Sequence, residues 1–171
     1  MKRIITVILS LAASLVVMAQ VRITTPETEL IIKADKGADL QILYFGARLS
    51  DADAANIEAA GIPGHSAYRA YGLWCASEAS LGVTHADGNL STSLKVESVM
   101  QSDVIDNSIV TKVVMKDAVY PFYVTVCYRA YQDVDMIETW TEIANLGKKP
   151  VTLTRFDSGY LPLRAGDVWI S

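Results

Sequence analysis

Histidine and cysteine are scarce here, with two of each in 171 residues. His65 and His85 stand far apart in the chain, with no Cys-x-x-Cys or His-x-x-x-His spacing, so no zinc-type ligand set is expected. Asp51, Asp53 and Asp87 do not follow a calcium-loop pattern. Neither a metal nor a cofactor is expected. No Gly-x-Ser-x-Gly elbow occurs, and Ser158 in Asp157-Ser158-Gly159 lacks the second glycine spacing. No glycine-rich loop is available to cradle phosphate. Basic clusters are also missing apart from Lys148-Lys149, and the formal net charge is −4. That balance excludes nucleic acid as a partner.

Long apolar runs are absent after the first residues. Lys2 and Arg3 precede an apolar stretch from Ile4 to Val17, and Val17-Met18-Ala19 has the small-residue pattern of a signal-peptidase site. The run is shorter than the ~20 residues a membrane span needs. Residues 1–19 are therefore expected to be a cleaved signal peptide, with Gln20 starting a periplasmic or secreted chain and no membrane partner. Export permits disulfides. Cys127 alternates with strand residues and is explained by burial; Cys75 lies in an irregular stretch, and their pairing is left open.

What remains is rich in β signals. Phe122–Tyr131, Met136–Ala144 and Val151–Phe156 are aromatic and β-branched runs punctuated by Gln132–Asp135 and Asn145–Pro150, the pattern of a meander. Arg129 and Tyr131 fall on one strand face, as do Glu138, Trp140 and Glu142. Upstream, Gln20–Thr25, Glu29–Ala34, Leu40–Phe45, Ser93–Met100 and Ser108–Met115 read as further strands. Gly46 ends the third of these or bends it at a bulge. The segment 52–60 reads as one short helix, capped by Asp51 or Asp53 and stopped by Gly61. His85-Ala86-Asp87-Gly88-Asn89 reads as a turn in which Gly88 supplies the positive φ. The fold class expected is all-β: two antiparallel sheets in a sandwich, with one short helical segment.

His65–Leu81 is irregular and aromatic. Tyr68, Tyr71 and Trp74 are the candidate sugar-binding residues, because a pyranose lays its apolar face on an aromatic ring. The alternative is that these rings plug the open end of the core. Carboxylate pairs are less promising. Glu138 and Glu142 stand roughly 13–14 Å apart along one strand, against roughly 5 Å for retaining and 6.5–9.5 Å for inverting glycosidases. Asp133 and Asp135 occupy a turn, where Asp serves backbone geometry. No catalytic residue is expected in this chain.

Several of these segments carry a family likeness. YRAY, MIETWTEIAN and KKPVTLTRFDSGYLPLR, preceded by VTHADGN (Val83–Asn89) and Val119-Tyr120-Pro121, resemble in this order the amino-terminal domain of glycoside hydrolase family 36 α-galactosidases. The likeness runs from about Ile23 to the end of the chain. It implies a galactose mutarotase-like β-supersandwich over residues 20–171. It also implies a following catalytic (β/α)₈ barrel, which this chain has no room for, acting on α-galactosides with retention. The family's Gly-Asp-Phe-Arg-Glu-Pro type motif corresponds to Gly72–Ala79, which keeps a Gly and a Glu without Asp-Phe-Arg. No polar substrate contact is carried over from it.

The chain is thus expected to be the non-catalytic front piece of an exported α-galactosidase, cut off before its barrel, with self-association into homo-oligomers through apolar residues such as Trp169 and Ile170 at its end. The alternatives are a free-standing carbohydrate-binding sandwich and a secreted structural or adhesion sandwich.

Overall fold

The computed structural model describes residues 20–61, 63–72 and 78–162. Ten strands and one helix follow each other: β1 Gln20–Thr24, β2 Thr28–Lys33, β3 Gln41–Ala47, α1 Asp51–Ala59, β4 His65–Ser66, β5 Leu81–Thr84, β6 Leu94–Gln101, β7 Ser108–Asp117, β8 Phe122–Tyr131, β9 Ile137–Asn145 and β10 Thr152–Phe156. One sheet has the order β1-β2-β3-β4 and the other β6-β7-β8-β9, each antiparallel throughout. The expected all-β, two-sheet architecture is what the chain adopts, with β5 and β10 added as a separate two-stranded ladder.

Alternation accounts for the core. Along β8, Phe122, Val124, Val126, Tyr128 and Ala130 point inward and are buried. They meet Val21, Ile23, Leu30 and Ile32 from the first sheet in one apolar cluster. A fully buried Val, Ile or Phe contributes about 1.5–3 kcal/mol. One residue of slip would turn this set to the solvent, so the pattern fixes register.

Between the sheets, polar ties set the relative position of the two layers. Gln132 Nε2 donates to Thr24 O at 2.9 Å. Asp135 accepts hydrogen bonds from the hydroxyls of Thr25 and Thr28. The sequence assigned Asp135 to the backbone of its own turn; instead it clamps the β8–β9 hairpin to the entry of β2. Those donors hold its carboxyl below the ordinary range.

β2 is buried on both faces from Glu29 to Ile32. Glu29 lies there with no solvent exposure, accepting from Arg22 Nε and Nη2 and from the Leu49 amide at 3.0 Å. Arg22 Nη1 also reaches Asp51 at 2.6 Å. The helix cap is Ser50, whose Oγ accepts from the Asp53 amide at 3.2 Å. Asp51 and Asp53, the caps expected, sit instead in the first turn, where their charge suits the helix dipole. Gly61 follows with φ +60°, as a helix stop requires.

The meander expected to include β10 is not formed. β10 leaves β9 and pairs with β5, Thr152 opposite Thr84 and Phe156 opposite Leu81, with a bulge at Thr154. β3 runs through Gly46 to Ala47, and its bulge lies opposite Ile31 and Ile32 rather than at the glycine. Trp169 and Ile170 lie outside the described residues, as do residues 1–19, the expected signal peptide.

Candidate functional site

Two of the surface cavities differ in chemistry. The first surrounds Tyr71. Gly82 and Val83 of β5 line it with Thr154 and Arg155 of β10, and Ala79 and Leu90 complete a hollow of about 380 Å³. Tyr71 is 56% exposed at its edge. Its backbone is held on both sides: its amide donates to Leu81 O at 2.8 Å, and its carbonyl accepts from the Thr92 amide at 3.1 Å. Next to it Gly72 has φ +108°, and a Cβ there would stand 2.6 Å from Ser91 Cα, so only glycine fits.

Arg155 is set by Glu78, with Nη1 to Oε1 at 2.9 Å, and by Asp157, with Nε to Oδ1 at 3.2 Å. Both carboxylates raise the guanidinium well above its already high ordinary value. An exposed ring beside a fixed guanidinium and a threonine hydroxyl can stack a sugar's apolar face and meet its hydroxyls. Sequence reasoning missed Arg155, Thr154 and Leu90. Thr154 and Arg155 join Tyr71 because β10 pairs with β5, and nothing in the local pattern names that partner.

Of the sugar candidates, Tyr68 and Tyr71 are not brought together. Tyr68 is 5% exposed, with its ring in the core cluster and its hydroxyl donating to Asp157 O at 3.3 Å. Burial pushes its phenol up. Its position is that of a ring closing the core, while Tyr71 points outward. Trp74 and Cys75 lie outside the described residues. Cys127 is a buried thiol pushed up to about 11 by burial and by Glu142.

The second cavity is a cleft of about 520 Å³ on the open side of the sandwich. Leu30, Ile42 and Phe45 form one wall and Tyr128, Ile137 and Thr139 the other, with Ser158–Leu161 along its lip. Among the described residues, Asp135 at the margin is its one ionised lining group. Such a lining suits apolar chain rather than a polar substrate.

The acidic residues of β9 are engaged in pairs across the sheet. Arg129 Nη1 donates to Glu138 at 3.0 Å, and Lys112 Nζ to Glu142 at 2.7 Å. Trp140 lies between them, with the Arg129 guanidinium 5.3 Å above its ring. Lys112 and Trp140 hold the Glu142 carboxyl below its ordinary value, against the pull of burial. A general acid needs the opposite shift. Among the described residues no group of three or more His, Cys, Asp and Glu side chains could hold a metal ion. No helix of these residues is long and apolar enough to cross a membrane.

The sequence profile described as glycosyl hydrolase family 36 N-terminal domain matches residues 38–171. No curated protein matches the chain. Among solved structures, the α-galactosidase AgaA A355E from Geobacillus stearothermophilus, in complex with 1-deoxygalactonojirimycin, superposes with a TM-score of 0.70 at 17% identity. That match covers 82% of this chain and 24% of the enzyme. AgaB from the same organism gives 0.69 at 18% identity, covering 82% and 23%. The α-galactosidase from Lactobacillus brevis gives 0.67 at 15%, covering 82% and 23%. At these identities the likeness is one of fold. The chain spans about a quarter of the length of these enzymes.

Proposed function

Because the chain belongs to the family 36 glycosyl hydrolase N-terminal domains, we propose that it serves as the non-catalytic front domain of an exported α-galactosidase. The observation that carries this reading is the match over residues 38–171 to a domain that precedes the rest of the enzyme, with only about 24% of a solved α-galactosidase covered. In this reading the carboxylates that cleave terminal α-galactosides belong to a following (β/α)₈ barrel, and the Tyr71 hollow contributes to the rim that meets sugar. The apolar cleft between the sheets supports it, as a surface against which a further domain can pack.

Export rests on residues 1–19, with their basic start, apolar middle and small-residue end. Mass spectrometry of secreted material is expected to find Gln20 at the amino terminus; retained Lys2 and Arg3 would contradict export with cleavage. The DNA beyond Ser171 tests the main reading. A barrel should be encoded there, in frame or behind a single frameshift, and its absence would overturn the proposal.

The exposed Tyr71 beside Arg155 also favours a second reading, a free-standing carbohydrate-binding module. That reading expects the domain alone to bind methyl α-galactoside and the downstream DNA to encode no barrel.

A further inference from the structure

His85 does not line the Tyr71 hollow, yet it is bonded to the segment that does. Its side chain is 3% exposed, and Nδ1 has no hydrogen-bond partner. An unpaired buried N–H is costlier than an unpaired acceptor, so the proton belongs on Nε2. Nε2 then donates to Thr92 Oγ1 at 3.0 Å.

The imidazole is held in place. One face stacks on Tyr120, with centroids 3.7 Å apart and planes at 12°, and an edge meets Phe122. Tyr120 is fixed in turn, its hydroxyl donating to Asp87 at 2.7 Å and accepting from Asn89 Nδ2 at 2.9 Å. Its amide donates to Asp117 at 2.8 Å. Thr92, itself buried, passes the constraint on, because its amide donates to Tyr71 O at 3.1 Å. Leu90, on the same segment, lines the hollow beside Tyr71.

We propose that His85 is a positioning residue for the Tyr71 pocket: it holds Thr92, and Thr92 holds the Tyr71 backbone and the Leu90 wall. The sugar-binding consequence rests on the reading of Tyr71 as sugar-facing; the mechanical link does not.

The test uses the full chain with three substitutions and two readouts, amide exchange at position 92 and affinity for methyl α-galactoside by NMR titration. His85→Phe keeps the ring stack on Tyr120 and removes the bond to Thr92. It should speed exchange at position 92 about fivefold and weaken sugar binding by a similar factor, the effect of one lost hydrogen bond. His85→Gln, whose amide can reach Thr92, should recover most of both. Thr92→Val should match His85→Phe, with no further loss in the double variant, and it carries the test alone if His85→Phe does not fold. Unchanged exchange in His85→Phe, equal damage from Gln and Phe, or additive losses would overturn the proposal. If the unmodified chain binds no sugar while exchange responds as described, the positioning role stands and the sugar-facing reading falls.

Discussion

Replacing Glu29 with Gln or Ala should be among the most damaging single changes outside the apolar core. Its carboxylate is fully buried and accepts from two nitrogens of Arg22 and from the Leu49 amide. Breaking a buried pair by removing one partner costs about 3–5 kcal/mol, because the remaining charge is stranded. Here Arg22 is 29% exposed and keeps Asp51 and Leu49 O, so the lower end applies. Glu29→Ala should therefore cost about 3 kcal/mol, which for a domain of this size lowers Tm by roughly 6–12 °C. Glu29→Gln, which keeps volume, should cost somewhat less.

The pH dependence of the Glu29 substitutions supplies a second check. Burial pushes the Glu29 carboxyl up, but Arg22 and the Leu49 amide outweigh it and hold it below its ordinary 4.5. A carboxyl with a lowered folded pKa adds stability that is complete above the unfolded value and is lost as pH falls through the folded one. The gap between wild type and Glu29→Gln should be constant above about pH 5.5 and close in strong acid. Thermal unfolding followed by circular dichroism reads both effects. A Tm change under about 2 °C for Glu29→Ala, or a gap that widens on acidification, would refute the reasoning.

The two tyrosines should separate cleanly. Tyr68→Ala should cost about 3–5 kcal/mol of stability, while Tyr71→Ala should leave stability within about 0.5 kcal/mol and, on the carbohydrate-binding reading, abolish NMR shifts induced by methyl α-galactoside. Residues 20–171 should self-associate through apolar surface that includes Phe156, 64% exposed, and Leu153 on β10. Replacing both with Ser should reduce association and hydrophobic-dye binding in size-exclusion chromatography with light scattering; a monomer at about 0.1 mM before substitution would contradict this.

Some of this architecture was legible in the sequence for a physical reason. β8 was read residue for residue, Phe122–Tyr131, because ten alternating residues leave no competing period. β5 was missed because Leu81–Thr84 is four residues long and three are buried, which removes the alternation. β10 was placed correctly and partnered wrongly, since periodicity states which face a residue takes and not which strand lies beside it. Ser50 lost the cap to two neighbouring aspartates that are equally good caps on chemistry alone. Among the described residues that line the hollow, Tyr71 is the one the sequence put forward. Tyr68 lies three residues away in irregular chain, where spacing cannot tell a core plug from a surface ring. Arg155 joins the hollow through the unforeseen β5–β10 pairing.

Turnover of p-nitrophenyl α-galactoside by purified residues 20–171, expressed in a host without α-galactosidase, tests the non-catalytic assignment most directly. The account predicts no release of nitrophenol above the host blank, because Glu138 and Glu142 are committed to Arg129 and Lys112 and Asp135 to two threonines. Turnover that survives purification and is lost on Glu138→Gln, Glu142→Gln or Asp135→Asn would place the chemistry in this domain and contradict the account.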